Sequence, residues 1–441
     1  MKLLVILSIL CSSIVIAQDD QCSAEFEKKY NAGKHSEALD IAESCNAIES
    51  NLELKHHKIR CYMFQEMYNQ AIKGYRELCK ADTSDATYVN GMGTAYFQLD
   101  QYDSALIYYN SALIADPTNF YGYYNRGLLY FTIDQHEKAI EDLQTQLKNH
   151  PEDARAWVVL GDTYLVDSNY NESIMCYNRA LEIDPKKETA YQGRAGYYYQ
   201  LGQGILALED IDQAIKIDPE DADNYAMKAD VYYFLYDTEY KKAIKWYLKS
   251  LKLEESADNY DFIGSSYDFL GKYDKAIEYY KKAIALNSSS PETYRDLADL
   301  LAYQYQFEQA LEMINKAIEM DSSDAYFHYT KATIYADQEN YEEAIINFSK
   351  AFQLDPNDSD YVFERAYAYQ VIEENDLALA DYNTVIEMNP SEADAYYNRA
   401  VIYIKRKNYK SALEDLNNSI ELNPEDPNAY YSRGYCNHVL D

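Results

Sequence analysis

Four cysteines near the amino terminus are the side chains of this chain best placed to form covalent bonds with one another. They are Cys22, Cys45, Cys61 and Cys79. Four cysteines allow three pairings. We predict the pairs Cys22–Cys45 and Cys61–Cys79, because Cys22 and Cys45 fall near the open ends of two predicted antiparallel helices. Each disulfide would stabilise this end of the chain by about 2–4 kcal/mol.

The same region offers a second chemistry, the binding of zinc. His57 and Cys61 are four residues apart, which places both side chains on one face of a predicted helix, with His56 and Cys79 as further ligands. Disulfides are the commoner outcome for an exported protein. We therefore predict no metal site and no cofactor.

The remaining histidines do not indicate catalysis. His35, His136 and His328 occupy positions that hold aromatic residues elsewhere in the chain, and the sequence contains no glycine-rich phosphate-binding loop. We therefore predict no catalytic residues and a protein that is not an enzyme.

Oppositely charged residues recur at a fixed spacing later in the chain. An arginine is followed sixteen residues later by an aspartate in four places, which are Arg126 and Asp142, Arg194 and Asp210, Arg365 and Asp381, and Arg399 and Asp415. On adjacent antiparallel helices such residues would form an interhelical, bidentate ion pair. The alternative is two independently solvated charges. In either case the residues are structural, and each pair contributes about 1 kcal/mol if half buried.

These side chains need helices to position them, and a repeated pattern predicts the helices. Alanine recurs at intervals close to 34 residues, at Ala38, Ala71, Ala105, Ala139, Ala207, Ala243, Ala276, Ala310, Ala344, Ala378 and Ala412. With this alanine as position 20 of the repeat, most repeats hold glycine or alanine at position 8, tyrosine at position 11 and proline at position 32. Apolar residues recur at i, i+3, i+4 and i+7, which is typical of amphipathic helices. Small residues at positions 8 and 20 let paired helices approach closely, and the tyrosines at positions 11 and 17 fill the groove beside them.

This pattern resembles the tetratricopeptide repeat family, whose signature falls at the same positions of the unit. The resemblance covers about residues 22 to 441. It implies an all-α, right-handed superhelical solenoid of about twelve 34-residue helix-turn-helix repeats plus a C-terminal single helix. The expected divisions are a signal peptide at 1–17, degenerate repeats 1 and 2 with the cysteines at 18–85, repeats 3 to 7 at 86–254, repeats 8 to 12 at 255–425, and the terminal helix at 426–441.

The resemblance also implies a binding surface, because the first helices of such repeats line a concave groove. The residues that it places there in repeats 8 to 11 are Asp258, Asp261, Phe262, Asp268, Phe269, Glu292, Arg295, Asp296, Asp299, Tyr303, Tyr326, Tyr329, Asp360, Phe363, Glu364 and Tyr367. Exposed aromatic rings beside carboxylates suit an extended peptide that carries Lys or Arg. The alternative is a solvated face without a dedicated ligand.

The charge balance narrows the class of partner. With 40 Lys and Arg against 74 Asp and Glu, the chain has a formal net charge of −34. Such a surface repels nucleic acid and anionic membranes and favours basic or neutral protein or peptide partners.

The first residues predict export. The apolar run from Leu3 to Ile16 is typical of a secretory signal peptide cleaved after Ala17, and it is too short for a comfortable membrane span. We expect a periplasmic, secreted or cell-surface protein without a membrane-spanning segment after cleavage.

Repeat 7 departs from the pattern. Two extra residues lie near Asp237 and Thr238, one residue is missing around Glu255 and Ser256, and the usual proline is lost there. The departure predicts either a hinge or a neutral change in a turn.

We predict from these features an exported, non-enzymatic scaffold for protein–protein interaction. One alternative is the recognition arm of an enzyme or envelope-assembly complex whose catalytic part lies elsewhere. Another is a structural role in which the terminal helix, a polar cap or the first half of a truncated repeat, mediates self-association. The face of that helix carries Tyr430, Tyr431, Tyr435, Val439 and Leu440.

Overall fold

A computed structural model describes residues 21–82, 85–236 and 238–440. The predicted signal peptide, residues 1–17, lies outside the described residues, as does Asp237 of the repeat-7 insertion. All regular secondary structure in the described ranges is helical, which confirms the predicted all-α fold class. No helix in these ranges has both the length and the apolar character that crossing a membrane requires.

The chain divides between Pro219 and Glu220 into two compact units, each a series of paired helices. The first unit contains α1 (21–31), α2 (His35–Ser44), α3 (Asn46–Ser50), α4 (Leu52–Phe64), α5 (Tyr68–Ala81), α6 (Ala86–Phe97), α7 (Tyr102–Ala115), α8 (Gly122–Thr132), α9 (His136–Asn149), α10 (Ala154–Val166), α11 (Tyr170–Ile183), α12 (Glu188–Gln200) and α13 (Gly204–Ile217). The second contains α14 (Ala222–Phe234), α15 (Tyr240–Ser250), α16 (Ala257–Phe269), α17 (Tyr273–Ala285), α18 (Pro291–Tyr303), α19 (Phe307–Met320), α20 (Ala325–Asp337), α21 (Tyr341–Leu354), α22 (Ser359–Val371), α23 (Asn375–Met388), α24 (Ala393–Lys405), α25 (Tyr409–Leu422) and α26 (Pro427–Leu440).

The turn inside each helix pair depends on one residue with left-handed backbone geometry. After α6, Asp100 has a φ of 57°, and the N–H of Gln101 donates to the carbonyl oxygen of Tyr96 at 3.0 Å. This bond satisfies a carbonyl that the helix end would otherwise leave without a partner. Glycine takes the same place at Gly271, whereas Tyr305 adopts it with a φ of 60°.

The recurring alanine is the point at which each helix pair closes. Every alanine at position 20, from Ala38 to Ala412, is 0% exposed. Ser173, which replaces it in repeat 5, is equally buried and donates its hydroxyl hydrogen to the carbonyl oxygen of Gly161 at 2.9 Å. This bond removes the cost of burying a hydroxyl group at a site built for a methyl group.

Position 8 is small because an aromatic ring from the facing helix covers it. A Cβ atom on Gly264 would lie 2.8 Å from the ring of Tyr280, which is at position 24 and 0% exposed. Position-11 tyrosines such as Tyr164 and Tyr267 are only partly buried. These rings pack against the hydrophobic cores, but the ring that covers position 8 is the one at position 24. Position 11 lies on the same helix as position 8 and neighbours it without facing it, whereas position 24 comes from the opposing helix.

Candidate functional site

Facing helices bring the residues of each predicted arginine–aspartate pair together. Arg194 on α12 donates from Nε to Oδ2 and from Nη2 to Oδ1 of Asp210 on α13, at 2.7 and 2.8 Å. The same two-bond geometry joins Arg126 to Asp142, Arg365 to Asp381 and Arg399 to Asp415. The carboxylates are almost fully buried between the helices. These pairs therefore hold a repeat together and do not face a ligand.

A third contact, which the sixteen-residue spacing did not predict, ties each arginine to the preceding repeat. Nη1 of Arg194 donates to Oδ1 of Asn178 on α11 at 2.7 Å. The corresponding pairs are Arg126 with Asn110, Arg365 with Ser349, and Arg399 with Asn383. The polar residue lies sixteen positions before the arginine in each case, so the signal is present in the sequence. Each of these arginines consequently joins three helices.

The structure brings together one of the two predicted cysteine pairs. Cys22 and Cys45 lie at disulfide-bonding distance, with their Cα atoms 5.9 Å apart. The predicted Cys61–Cys79 bond is wrong, because both thiols are free. Cys61 is buried in the core formed with Phe26, whereas Cys79 packs against the following core, which is built from α4, α5 and α6. The two side chains therefore extend into different cores.

The side chains proposed as zinc ligands pack against aromatic rings. His57 stacks on Tyr30 with ring centroids 4.4 Å apart, and His56 packs edge-on against Tyr88 at 5.2 Å. Burial raises the pKa of the Cys61 thiol to about 11, which disfavours the thiolate that zinc needs. Within residues 21–82, 85–236 and 238–440, no group of three or more His, Cys, Asp or Glu is arranged to hold a metal ion.

The predicted groove residues lie on the first helices of repeats 8 to 11, and all of them keep some solvent exposure. Helix α16 carries Asp258, Asp261, Phe262, Asp268 and Phe269; α18 carries Glu292, Arg295, Asp296, Asp299 and Tyr303; α20 carries Tyr326 and Tyr329; α22 carries Asp360, Phe363, Glu364 and Tyr367. We call this set the first-helix surface. Phe269 and Tyr303 are 63% and 66% exposed, values that are high for large apolar side chains.

Side-chain contacts make part of this surface continuous. Arg295 on α18 donates from Nε to Oδ1 of Asp296 at 2.9 Å and lies 5.2 Å from the ring centre of Tyr326 on α20. Tyr329 on α20 packs against Tyr361 of α22, with ring centroids 5.3 Å apart. Charged and aromatic groups of repeats 9 and 10 therefore meet on this surface, and the buried ring of Tyr361 packs Tyr329 against repeat 11.

Aspartates concentrate negative charge on α16 and α18. Burial and the nearby charge of Asp296 raise the pKa of Asp261 to about 6. Asp299 reaches solvent, but the surrounding protein limits its hydration, and this raises its pKa despite the opposing effect of Arg295. Limited hydration also raises the pKa of Asp268. A bound cation would favour the ionised forms and relieve their mutual repulsion.

A surface of opposite charge, which the sequence reasoning missed, lies on the second helices of repeats 7 and 8. It is a cleft of about 800 Å³ lined on one side by lysines of α15 and on the other by Tyr279 and Lys282 of α17. We call it the lysine cleft. The signal for it is the spacing of Lys241, Lys245 and Lys249, which places these side chains along one side of α15, with Lys252 just beyond the end of the helix. The strongly negative total charge of the chain obscures this local concentration.

Comparisons with known proteins agree with the repeat pattern. Family models described as tetratricopeptide repeat match residues 61–120, 124–188, 186–320, 295–359 and 393–426. Curated protein sequences give no match. Among solved structures, the chain is similar to the APC/C hetero-tetramer Cut9–Hcn1, with 16% identity and a TM-score of 0.46 over 95% of this chain and 90% of that chain.

Two further solved structures resemble shorter parts of the chain. YrrB, described as a TPR protein with an unusual peptide-binding site, has 24% identity and a TM-score of 0.38 over 43% of this chain and 97% of that chain. The C-terminal part of a TPR repeat-containing protein from Cytophaga hutchinsonii has 19% identity and a TM-score of 0.48 over 55% of this chain and 98% of that chain.

Proposed function

Because the chain belongs to the tetratricopeptide repeat family, whose members serve as scaffolds for protein–protein interaction, we propose that it binds peptide or protein partners through its first-helix surface and is not an enzyme. The partner segment is basic or neutral. The observation that supports this proposal most directly is the placement of partly buried aspartates beside exposed aromatic rings on α16 and α18.

The two kinds of side chain act on different parts of a basic peptide. Asp261 and Asp299 are poorly hydrated, so a Lys or Arg head group gains more from contact with them than from contact with a fully solvated carboxylate. The exposed rings of Phe269 and Tyr303 offer apolar and cation–π contact to the peptide stems. The pKa values of Asp261 and Asp299 are raised mainly by limited hydration and to a smaller extent by the negative charge of Asp296, and a bound cation would oppose both effects.

Charge reversal tests the proposed surface. In the triple variant Asp261→Lys, Asp296→Lys and Asp299→Lys, we expect binding of a fluorescent Lys- and Arg-rich peptide to fall by at least tenfold in fluorescence anisotropy. A milder set with Asn at the same positions keeps the test valid if the Lys set fails to fold, as judged by circular dichroism. The matched control is Glu308→Lys, Glu319→Lys and Glu342→Lys, which makes the same charge change at exposed second-helix positions.

Equal losses in both sets would mean that only the net charge matters, and the first-helix surface would be rejected as the site. A pull-down from a cell-envelope extract with the same variants then identifies the partner. Recovery of an enzyme that depends on the three aspartates would favour the alternative role as the recognition arm of a larger complex.

We also propose that the protein is exported. The apolar run from Leu3 to Ile16 supports this proposal, as does the close approach of Cys22 and Cys45, since disulfides persist in oxidising compartments. Alkylation of the native protein with and without reductant, followed by mass spectrometry, should show that reduction exposes Cys22 and Cys45 only. Reactivity of both thiols without reductant would contradict export into an oxidising compartment.

Self-association through α26 is a subordinate proposal. Tyr431 on this helix is 79% exposed, and apart from Gly434's chain neighbours and the backbone of its own helix, no atom lies within 4 Å of the place where a Cβ of Gly434 would be. At Gly264 the equivalent space is filled by a ring from the facing helix. Light scattering should show a mass above that of the monomer, which Tyr431→Glu reduces. A monomeric mass at high concentration would dispose of this proposal.

A further inference from the structure

We propose that the lysine cleft between α15 and α17 is a second binding site, specific for an acidic peptide segment that also carries apolar side chains. It is separate from the first-helix surface, since it lies on second helices and has the opposite charge. The protein would then hold two partners of opposite charge, or two segments of one partner.

The cleft combines a charged rim with an apolar floor. Lys245, Lys249 and Lys252 form the rim on the side of α15, and Lys282 stands on the side of α17. The floor comes from apolar and aromatic side chains, which are Ile244, Leu248, Leu251, Tyr260 and Tyr279. The cleft has a volume of about 800 Å³ and is open to solvent.

The rim lysines have charge to offer. Lys241, Lys245, Lys249 and Lys252 are all exposed, and none of them has a carboxylate within ion-pair distance among the described residues. Lys282, on the opposite side of the cleft, is bonded to Glu278 of its own helix at 2.6 Å, so the unpaired positive charge of the cleft lies on the side of α15.

Two of the rim lysines are held in place by aromatic rings. The Nζ of Lys249 lies 4.0 Å from the ring centre of Tyr225, and the Nζ of Lys245 lies 4.8 Å from that of Trp246. These cation–π contacts restrict long side chains that would otherwise lose conformational entropy when a ligand binds. Part of the entropic cost of binding is therefore met before the ligand arrives.

The irregular repeat 7 creates the cleft. Helix α15 has 11 residues and ends at Ser250, whereas α13 and α19 have 14 residues each. The chain then turns, with the N–H of Glu254 donating to the carbonyl oxygen of Ser250 at 3.0 Å. The lost helical turn leaves Leu251 and Lys252 beside the cleft instead of continuing the helix. The departure from the repeat that the sequence shows near Glu255 thus coincides with the lysine-rich site.

The chemistry favours a peptide over other anions. A net charge of −34 repels an extended polyanion such as nucleic acid and the surface of an anionic bilayer. A short acidic peptide has few charges outside the cleft, so the negative surface of the protein repels it less than it repels nucleic acid or a bilayer. The apolar floor adds a requirement for apolar side chains between the carboxylates, which nucleic acid cannot meet.

A defined peptide tests the site in the full chain. The probe is a fluorescent peptide of alternating Glu and Leu, and its comparison is the same peptide with Gln in place of Glu. We expect saturable binding of the Glu peptide that weakens with added salt. The variant Lys245→Gln with Lys249→Gln should weaken it by at least tenfold, and Lys241→Gln with Lys252→Gln should do so independently. The matched control is Lys316→Gln with Lys350→Gln, two exposed second-helix lysines away from the cleft, which should leave binding unchanged.

Several results would overturn the assignment. Equal binding of the Gln peptide would remove the role of charge, and equal losses in the control variant would remove the role of the cleft. Lysine-dependent binding to phosphatidylglycerol vesicles, but not to the Glu peptide, would reassign the cleft to membranes. The Asp261→Lys, Asp296→Lys and Asp299→Lys protein should still bind the Glu peptide, so failure of the first-helix surface and failure of the lysine cleft are distinguishable.

Discussion

At the scale of single residues, burial decides which charged groups hold the fold and which can face a partner. Asp381 is bonded twice by Arg365 between two helices and is nearly inaccessible. Asp299 lies on a surface and carries a raised pKa, because no comparable pair of hydrogen bonds compensates for its limited hydration. Asp381 lies on a second helix and Asp299 on a first helix. Only Asp299 would be stabilised further by contact with a cationic ligand.

The first prediction concerns the two hydrogen bonds that join each arginine to its aspartate. Asp381→Asn should lower the free energy of unfolding by about 1–2 kcal/mol, since hydrogen bonds to a charged group contribute about 1.5–3 kcal/mol and the partly exposed Arg365 recovers some hydration. Urea denaturation measures the change. The control is Glu387→Gln, an exposed position on the same helix. A loss of unfolding free energy no larger than that of the control would show that the Arg365–Asp381 pair contributes little to stability.

Two glycines at the same repeat position should respond in opposite directions to alanine. Gly264→Ala places a Cβ 2.8 Å from Tyr280 and should destabilise the protein by about 1–3 kcal/mol, as overpacked cores do. Gly434→Ala meets no neighbour within 4 Å and should stabilise α26 by about 0.5–1 kcal/mol, because alanine favours the helix. Thermal unfolding monitored by circular dichroism compares the two. Shifts of the same sign would contradict the packing argument.

At the scale of elements, the helix pair is the unit that the sequence specifies, and its turn is the part that carries strain. Tyr305 follows α18 with a φ of 60° and is 81% exposed, so its ring contributes little to the core. Gly271 occupies the equivalent turn after α16 at no steric cost. The tight pairing of α18 with α19 maintains the less favourable backbone geometry at Tyr305.

Replacing this tyrosine tests that interpretation. Tyr305→Gly should leave stability unchanged or raise it by up to about 1 kcal/mol, because relief of the left-handed strain offsets the greater flexibility of glycine in the unfolded chain. Tyr305→Val should destabilise, since a β-branched residue tolerates positive φ poorly. Chemical denaturation of both variants measures the difference. A less stable Gly variant would show that the tyrosine ring stabilises the turn.

At the scale of the whole molecule, the charge of the chain is unevenly distributed. The formal net charge is −34. Aspartates with raised pKa values lie on α16 and α18, whereas lysines line the cleft between α15 and α17. If both proposed sites bind, two surfaces of one protein select partners of opposite charge, even though long-range repulsion disfavours polyanions as a class.

The pH dependence of binding follows from the raised pKa values. In the proposed binding mode the ionised form of Asp261 contacts the cation, and the pKa of Asp261 is about 6 in the folded protein. Affinity for a Lys-rich peptide should therefore rise as the pH increases from about 5 to 8, and binding should release protons. Anisotropy titrations across this range measure it, with Asp261→Asn as the control that flattens the profile. An affinity that falls with rising pH would contradict the assignment.

Much of the fold was predictable from the sequence because a few spacings determine it. The alanine, glycine and proline positions identify the helix pairs, and the interval from Arg194 to Asp210 places both residues on facing helices. The direction of Cys61 was not predictable, since an irregular repeat does not show which core its side chain enters. The lysine cleft needed three-dimensional information, because its second wall, with Lys282, comes from the next repeat.

The arginines that donate a hydrogen bond to the preceding repeat also affect how the protein unfolds. From Ser349 onward these links follow one another, and Arg433 continues the series by donating to Asn417 at 3.1 Å. Opening any of these repeats then disturbs its predecessor, so residues 349–433 should lose amide protection as one cooperative block. Repeats 8 and 9, which have Ile263 and Leu297 in place of the arginine, should open singly and exchange sooner. Repeats 8 and 9, which carry the aspartates proposed to bind a basic ligand, would thus adapt to it more readily than residues 349–433 could. Hydrogen–deuterium exchange can detect the difference in amide protection between the two segments.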